Sequence, residues 1–257
     1  MSDELRDQHG APDAEFYIGY DPDVPPGVAA RVRVAVVAAV LAVLAAAGLS
    51  LGLHERLLPA RFDFGHAQAV AGRLTRAPYP ALATATGTVW LVGRGKHGAD
   101  ADVATLGDGA VTLQGTAIQR GDTRMVEVVP GSVTGTLARA ASLEPHAPPA
   151  GGDDVTLVGE IVDSKCFLGV MNPGEGTVHR DCANLCLRGG IPPMLLVRHR
   201  QGREALVLLV GADGRAIGPE LAPLAGAPVA VLGRLSHVGD QPVLAAEPGA
   251  YRRIDSR

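Results

Sequence analysis

The first long apolar stretch of the chain has the pattern of a membrane-spanning helix. Residues 34–53 read VAVVAAVLAVLAAAGLSLGL, in which Ser50 is the only polar side chain and no side chain is charged. At 1.5 Å per residue, a helix of this length crosses the hydrocarbon core of a bilayer. A core helix of a soluble domain would instead carry polar residues every few positions. Because 33 residues of acidic character precede the stretch, we expect an uncleaved anchor rather than a signal peptide.

Charges next to this helix predict its orientation. Arg31 and Arg33 precede it, and the positive-inside rule places such residues in the cytoplasm. We therefore expect a single-pass protein of the cytoplasmic (inner) membrane. Its N-terminus would lie inside the cell, and its C-terminal modules would be periplasmic or extracellular. The margin is narrow, since three arginines follow the helix: Arg56, Arg61 and Arg73.

The chain beyond residue 57 alternates short apolar runs with Gly, Asp and Pro turns, which predicts strands. In its second half the predicted strands are 155–162, 194–199, 205–210, 229–235 and 243–246. A short helix predicted at 219–224 falls between the third and fourth of them, which is the order of an OB-fold barrel. The first half fits the same order less completely, with strands predicted near 67–74, 88–92, 111–118 and 125–129.

An internal repeat links the two halves. Three segments, 111–115 (VTLQG), 121–122 (GD) and 130–131 (PG), recur 118 positions later as VAVLG, GD and PG. A constant offset without gaps indicates a duplicated strand–turn–strand unit. We therefore predict a mainly β protein with two tandem OB-fold-like modules after one N-terminal transmembrane helix.

The predicted domain boundaries follow from these patterns. They are an acidic tail at 1–33, the helix at 34–53, a first module at 57–143, an Ala/Pro-rich linker at 144–152 and a second module at 153–257.

Charge and composition argue against a nucleic-acid-binding function. The chain has 27 acidic and 23 basic residues, for a net charge of −4, and residues 1–30 alone contribute −6. With a near-neutral remainder and no Lys/Arg run, nucleic acid is not an expected partner, because its phosphates require clustered cations.

Of the 23 basic residues only Lys96 and Lys165 are lysines. Abundant Ala, Gly and Val beside so much Arg is typical of a GC-rich bacterial genome.

The chemically distinctive residues gather in the second module. They are Cys166, His179, Cys182 and Cys186. Residues 177–187 predict a helix ended by two glycines and two prolines. On that helix the histidine and the last two cysteines stand at i, i+3 and i+7, and so share one face. Cys166 follows the module's first strand and can fold back against this face, with Asp163 nearby.

Two chemistries fit this cluster. Three thiolates and an imidazole are a known tetrahedral set for zinc, and soft thiolates suit Cu(I) equally. Outside the cytoplasm, Cys166 could instead form a disulfide with Cys182 or Cys186 and leave one thiol. A redox-active thiol is a third reading, and no c-type haem, thioredoxin or nucleotide motif occurs. The predicted metal ligands are Cys166, His179, Cys182, Cys186 and Asp163, and the disulfide stays open beside them.

These residues also belong to a longer pattern. Residues 159–166 (GEIVDSKC) fit G-x-[IV]-x-D-S-x-C, and they precede a C-x₃-C segment, a Gly-Gly turn at 189–190 and a strand ending V-x-V-x-G at 229–233. Over about 153–250 the chain thus resembles a family of small exported bacterial OB-type domains of uncharacterised function. The resemblance implies an external location and a site at Asp163 and the three cysteines, and it implies no particular ligand.

The combined features predict a membrane-anchored, exported accessory protein whose second module binds zinc or copper. It would serve as a subunit or assembly factor of a membrane redox complex, with other membrane-protein subunits as partners. The alternative is a non-catalytic structural or interaction protein stabilised by a disulfide. An enzyme is the less expected class, because no oxyanion-hole or substrate constellation is evident. We expect Trp90 in a core, 93–98 (GRGKHG) as a loop rather than a phosphate-binding motif, and His97, His199 and His237 as isolated residues.

Overall fold

A computed structural model describes residues 25–54, 60–137, 152–198 and 204–254. The chain divides into two compact units, the first ending at Leu58. Within the first unit, helix α1 runs from Pro26 to His54 and starts eight residues before the predicted span. Residues Pro26–Leu53 include an 18-residue window with a mean hydropathy of 2.6, and this helix is long and apolar enough to cross a membrane. The acidic segment 1–24 and most of the predicted linker lie outside the described residues.

The second unit begins with a closed five-stranded barrel. Its strands are β1 (Ala60–Thr75), β2 (Ala81–Thr84), β3 (Gly87–Val92), β4 (Leu106–Arg120) and β5 (Thr123–Val128), and β6 (Thr134–Leu137) is added beside β4. They pair in the order β1-β2-β3-β5-β4, and β4 closes back on β1. Only the β3–β5 pair among these is parallel. The short helix α2 (Asp100–Val103) lies between β3 and β4.

A second closed barrel follows with the same order, β7-β8-β9-β11-β10. Its elements are β7 (Asp153–Asp163), α3 (Arg180–Arg188), β8 (Pro193–Arg198), β9 (Glu204–Gly211), α4 (Gly218–Leu221), β10 (Pro228–Val238), β11 (Gln241–Ala246) and β12 (Tyr251–Arg253). Strand β10 closes back on β7, and β12 is added beside β10. The predicted class, two tandem OB-like barrels after an apolar helix, is therefore confirmed.

The repeat seen in the sequence is a repeat of strand register. In the first barrel Trp90 stands opposite Met125 across β3 and β5. In the second, Leu208 stands opposite Val243 across β9 and β11, and both positions are 118 residues further on. The hairpin turns after β4 and β10 repeat as well: Gly121 and Gly239 have φ of 57° and 61°. Only glycine adopts that region at little cost, which accounts for the glycine at this position of both hairpins.

Three strands were not predicted from sequence: β2, β6 and β12. They are four, four and three residues long, too short for an alternating pattern to be visible. β2 reads ALAT, and alanine has low strand propensity, so pairing with the neighbouring strands decides its conformation.

The barrels differ most between their first and second strands. In the first barrel β1 and β2 are joined by five residues, 76–80, whereas in the second β7 and β8 are joined by 29 residues, 164–192. We call residues 164–192 the insertion. All three cysteines and His179 lie on it. The barrel is therefore common to both modules, whereas the cysteines and His179 occur only on the insertion of the second module.

The two barrels share part of their core. One buried cluster combines Trp90 and Met125 of the first barrel with Leu208 and Val243 of the second, and Trp90 is 2% exposed. This confirms the expectation that Trp90 is a core residue. Phe167 of the insertion belongs to the same cluster, so the insertion is packed between the barrels rather than projecting from them.

A tyrosine joins the barrels by hydrogen bonds. The hydroxyl of Tyr79 donates to Leu209 O at 3.2 Å and accepts from Ile217 N at 3.0 Å. Burial raises the pKa of Tyr79, because the phenolate would lose its hydration there.

Candidate metal centre

The insertion begins with a tight turn made by Asp163, the last residue of β7. Its carboxylate is fully buried, and Oδ1 accepts a hydrogen bond from the backbone N–H of Cys166 at 2.9 Å. Ser164 donates from Oγ to Pro192 O at 2.7 Å, which ties the two ends of the insertion together. These contacts set the position of Cys166 at the base of the site.

Helix α3 carries the other two thiols of the cluster. A short 3₁₀ turn, Thr177–His179, leads into α3, and Gly189 N donates to Leu185 O and Cys186 O to end it. Ala183 and Leu187 on the inner face of α3 are buried in the core of the second barrel. That packing fixes the rotation of the helix, so Cys182 and Cys186 lie towards Cys166.

All five predicted ligands come together, in two overlapping groups. One ring nitrogen of His179, Cys166 Sγ and Cys182 Sγ lie within 4.8 Å of one another. An Asp163 carboxylate oxygen, Cys166 Sγ and Cys186 Sγ form a second group within the same limit. Cys166 belongs to both groups, whereas His179 and Cys186 do not share one. The structure therefore contains a Cys/His cluster able to hold a metal ion, arranged around Cys166.

The sulfur separation favours a metal over a disulfide in this geometry. All three cysteines are free thiols, and Cys166 Sγ lies 4.0 Å from Cys182 Sγ. A disulfide requires about 2.05 Å. Two thiolates on one tetrahedral zinc, with bonds of about 2.3 Å, stand about 3.8 Å apart. The observed spacing is close to the second value.

His179 is oriented by Asp163. The ring nitrogen Nε2 lies 2.9 Å from Asp163 Oδ2, and both residues are buried. A carboxylate in this position selects the tautomer with the proton on Nε2, which leaves the lone pair of Nδ1 available to a metal. Asp163 thus serves the site by holding Cys166 and His179, besides its own membership of one ligand group.

Lysine residues complete the site, and sequence reasoning missed both. Lys96, in the loop 93–98 of the first barrel, places Nζ 2.7 Å from Cys182 Sγ and 3.7 Å from Cys186 Sγ. The segment is a loop, as expected, and its lysine side chain contacts the cysteine cluster. Lys165 is 2% exposed; it donates to Gly93 O and Gly95 O, both at 2.7 Å, and pairs with Glu127 at 2.5 Å. One signal was available: these are the only two lysines among 23 basic residues.

Close backbone contact also holds the 93–98 loop over the site. Gly98 N donates to Gly189 O at 2.9 Å. A Cβ on Gly189 would lie 1.8 Å from Lys96 O, so no larger residue fits without moving the loop. Glycine at the end of α3 therefore permits the first barrel to reach the thiols of the second.

The thiols differ in acidity. The pKa of Cys166 is raised by its hydrogen bond with Cys186, by burial and by the Asp163 carboxylate. The pKa of Cys186 is lowered, because the same hydrogen bond stabilises its thiolate and Lys96 adds a favourable charge. The hydrogen bond to Cys182 raises the pKa of Lys96.

The histidines that were expected to be isolated are not part of the ligand groups in the described residues. His97 and His237 are exposed and belong to neither ligand group, and His199 lies outside the described residues. Comparison with known proteins brings no family to this site: no family model, no curated protein and no solved structure matches the chain. Function is therefore inferred from the geometry of the site.

Proposed function

We propose that this protein is a membrane-anchored metal-binding protein that holds Zn²⁺ or Cu⁺ through Cys166, His179, Cys182 and Cys186. The observation that carries the proposal is the pair of ligand groups sharing Cys166. Thiolate sulfur and imidazole nitrogen suit these two ions, whereas Mg²⁺ and Ca²⁺ prefer oxygen ligands.

Electrostatics support a cation at this place. The three thiolates and the carboxylate of Asp163 would carry four negative charges in a largely buried space, and Lys96 supplies one positive charge nearby. Uncompensated buried charges are costly, so the cluster is either protonated or neutralised by a bound ion. Metal binding at neutral pH would accordingly displace protons from the thiols.

The metal assignment is tested on the full-length protein in detergent, purified under reducing conditions and loaded with Zn²⁺ or Cu⁺. We expect about one ion per chain by elemental analysis. Cys166→Ser should lose it, because that sulfur belongs to both groups. His237→Ala is the matched control, since this exposed histidine lies in neither group. A wild-type protein that retains neither ion after loading would refute the assignment.

The second part of the proposal concerns place and partners. The apolar helix α1, the two arginines near its start and the resemblance to exported domains support an anchor with both barrels outside the cell. In that compartment the protein would act as an accessory subunit or assembly factor of a membrane redox complex. An alkaline phosphatase fusion after residue 60 tests the orientation: activity is expected, and an inactive but stable fusion would contradict it.

A structural or interaction role is the second candidate. Around the exposed side of the site, Met171, Val178 and Leu185 are large apolar residues with exposures of 47%, 84% and 56%. Val178 and Leu185 flank the half-buried Cys182 at helical spacing. Failure of metal binding in the test above, with the fold intact, would favour this role.

A further inference from the structure

A lysine amine and a cysteine thiol from different barrels face each other at the site. Lys96 Nζ and Cys182 Sγ are 2.7 Å apart. N–H···O hydrogen bonds span about 2.7–3.2 Å, and sulfur is a larger atom than oxygen, so an N–H···S bond is expected to be longer. The separation is also longer than a direct bond, since even S–S is only about 2.05 Å. A nitrogen–sulfur distance of this size is expected when both atoms are bonded to one small atom between them.

The choice of lysine at position 96 points the same way. The chain uses arginine at 21 of its 23 basic positions. The contacts of Lys165, the other lysine, explain why lysine stands at that position. Its compact ammonium donates to two carbonyls and pairs with Glu127. At position 96 an arginine would supply the positive charge equally well, but only lysine supplies a primary amine that can become a nucleophile.

The surrounding contacts hold the two groups in place. Lys165 donates to the carbonyls of Gly93 and Gly95, and Gly98 is bonded to Gly189. The loop that carries Lys96 is therefore anchored on both sides of that residue. Cys182 is the half-buried thiol of the three, so a small oxidant reaches it more easily than it reaches the buried Cys166 or Cys186.

We propose that Lys96 and Cys182 form an oxidative crosslink in which one oxygen atom bridges Nζ and Sγ. Molecular oxygen is the oxidant. The Lys96 ammonium first releases one proton to the buffer. The S–H bond and one N–H bond then break, and their two hydrogens leave with one oxygen atom as a water molecule, while one hydrogen stays on nitrogen. New S–O and N–O bonds form, sulfur and nitrogen lose two electrons each, and dioxygen takes up all four. The bond joins the two barrels. It forms only on metal-free protein, because a bridged Cys182 can no longer serve as a thiolate ligand of the proposed metal.

A disulfide is the competing product of oxidation. Cys166 Sγ would have to move about 2 Å closer to Cys182 Sγ to form one, starting from 4.0 Å. Cys166 is also 4% exposed and held by Asp163 through its backbone, whereas Lys96 needs no such movement. The geometry therefore favours the lysine as the partner of Cys182.

The test uses full-length protein in detergent, freed of metal with a chelator. One sample is kept anaerobic with reductant, and the other is exposed to air-saturated buffer. Mass spectrometry should show a gain of one oxygen and a loss of two hydrogens in the air-exposed sample only, with a peptide joining residues 96 and 182. The link should be absent from Lys96→Arg and Cys182→Ser, and a thiol reductant should reverse it.

Three other outcomes would overturn the proposal: an unchanged mass, a disulfide from Cys182, or an oxidised Cys182 with Lys96 unmodified. Lys96→Arg keeps the charge, and Trp90 fluorescence checks that this variant is folded. Metal content is measured separately on the anaerobic sample before chelation. If the anaerobic sample contains metal but the air-exposed sample forms no crosslink, the crosslink alone is refuted. If the crosslink forms but the anaerobic sample contains no metal, the metal site alone is refuted.

Discussion

The buried ammonium of Lys165 is expected to stabilise the docking of the two barrels. It comes from the insertion of the second barrel and contacts Glu127 and the carbonyls of Gly93 and Gly95 in the first. Lys165→Met keeps most of the side-chain volume and removes the charge. Glu127, whose side chain is 18% exposed, is then left without its partner, and two carbonyls lose a donor.

The magnitude follows from the burial of the pair. Removing one partner of a buried ion pair costs about 3–5 kcal/mol, because the remaining charge is desolvated and unpaired. Partial exposure of Glu127 places the expected loss near the lower end, about 3 kcal/mol. With a urea dependence of about 2 kcal/mol per molar, the unfolding midpoint should fall by about 1.5 M.

Trp90, the only tryptophan, lies in the core shared by the barrels and reports this transition by its fluorescence. Arg234→Met is the matched control. Its exposed partner Asp154 is 4.0 Å away, and exposed pairs contribute about 0–1 kcal/mol. If Lys165→Met lowers stability no more than Arg234→Met does, the barrels are not held by this pair and the reasoning is wrong.

Three further predictions concern the site and the interface. Gly189→Ala should displace the loop bearing Lys96, because the new Cβ meets Lys96 O; a crystal structure of the variant checks this. Gly249→Ala, with open space around it, should leave the loop in place, and an undisplaced loop in Gly189→Ala would contradict the prediction. Asp163→Asn should weaken metal affinity about 10–100-fold by loosening the imidazole, as measured by competition with a chromophoric chelator; unchanged affinity would contradict it. The raised pKa of Tyr79 means that the fold binds its proton more tightly than the unfolded chain does. Stability should therefore fall as pH rises above about 10, and Tyr79→Phe should reduce that slope in alkaline urea titrations; an equal slope in both proteins would refute this.

Local patterns were sufficient for much of the fold. Apolar length alone identified α1, because a bilayer demands a continuous run that a soluble core does not. The repeat of 118 residues identified the duplicated hairpins, since register and turn glycines leave a direct mark in sequence. Strand β2, in contrast, consists of four residues without a visible period, and only its neighbours make it a strand.

For the site, the sequence identified the thiols and the imidazole that come together, and it missed the two lysines beside them. Cys166, His179, Cys182 and Cys186 could be brought together from helical spacing and the position of the first strand, because these are short-range relations within one module. The structure added that Cys166 belongs to both candidate ligand groups. That detail depends on how Asp163 turns the backbone, which no spacing reveals.

Only the tertiary structure decided that the first barrel takes part. Lys96 lies 86 positions from Cys182 in the chain, and no local pattern relates residues so far apart. Their meeting depends on the packing of one barrel against the other through Trp90, Lys165 and the glycine contact at Gly189. Sequence periodicity records how each barrel folds, whereas docking depends on the shapes of two finished surfaces, and those exist only after both barrels have formed.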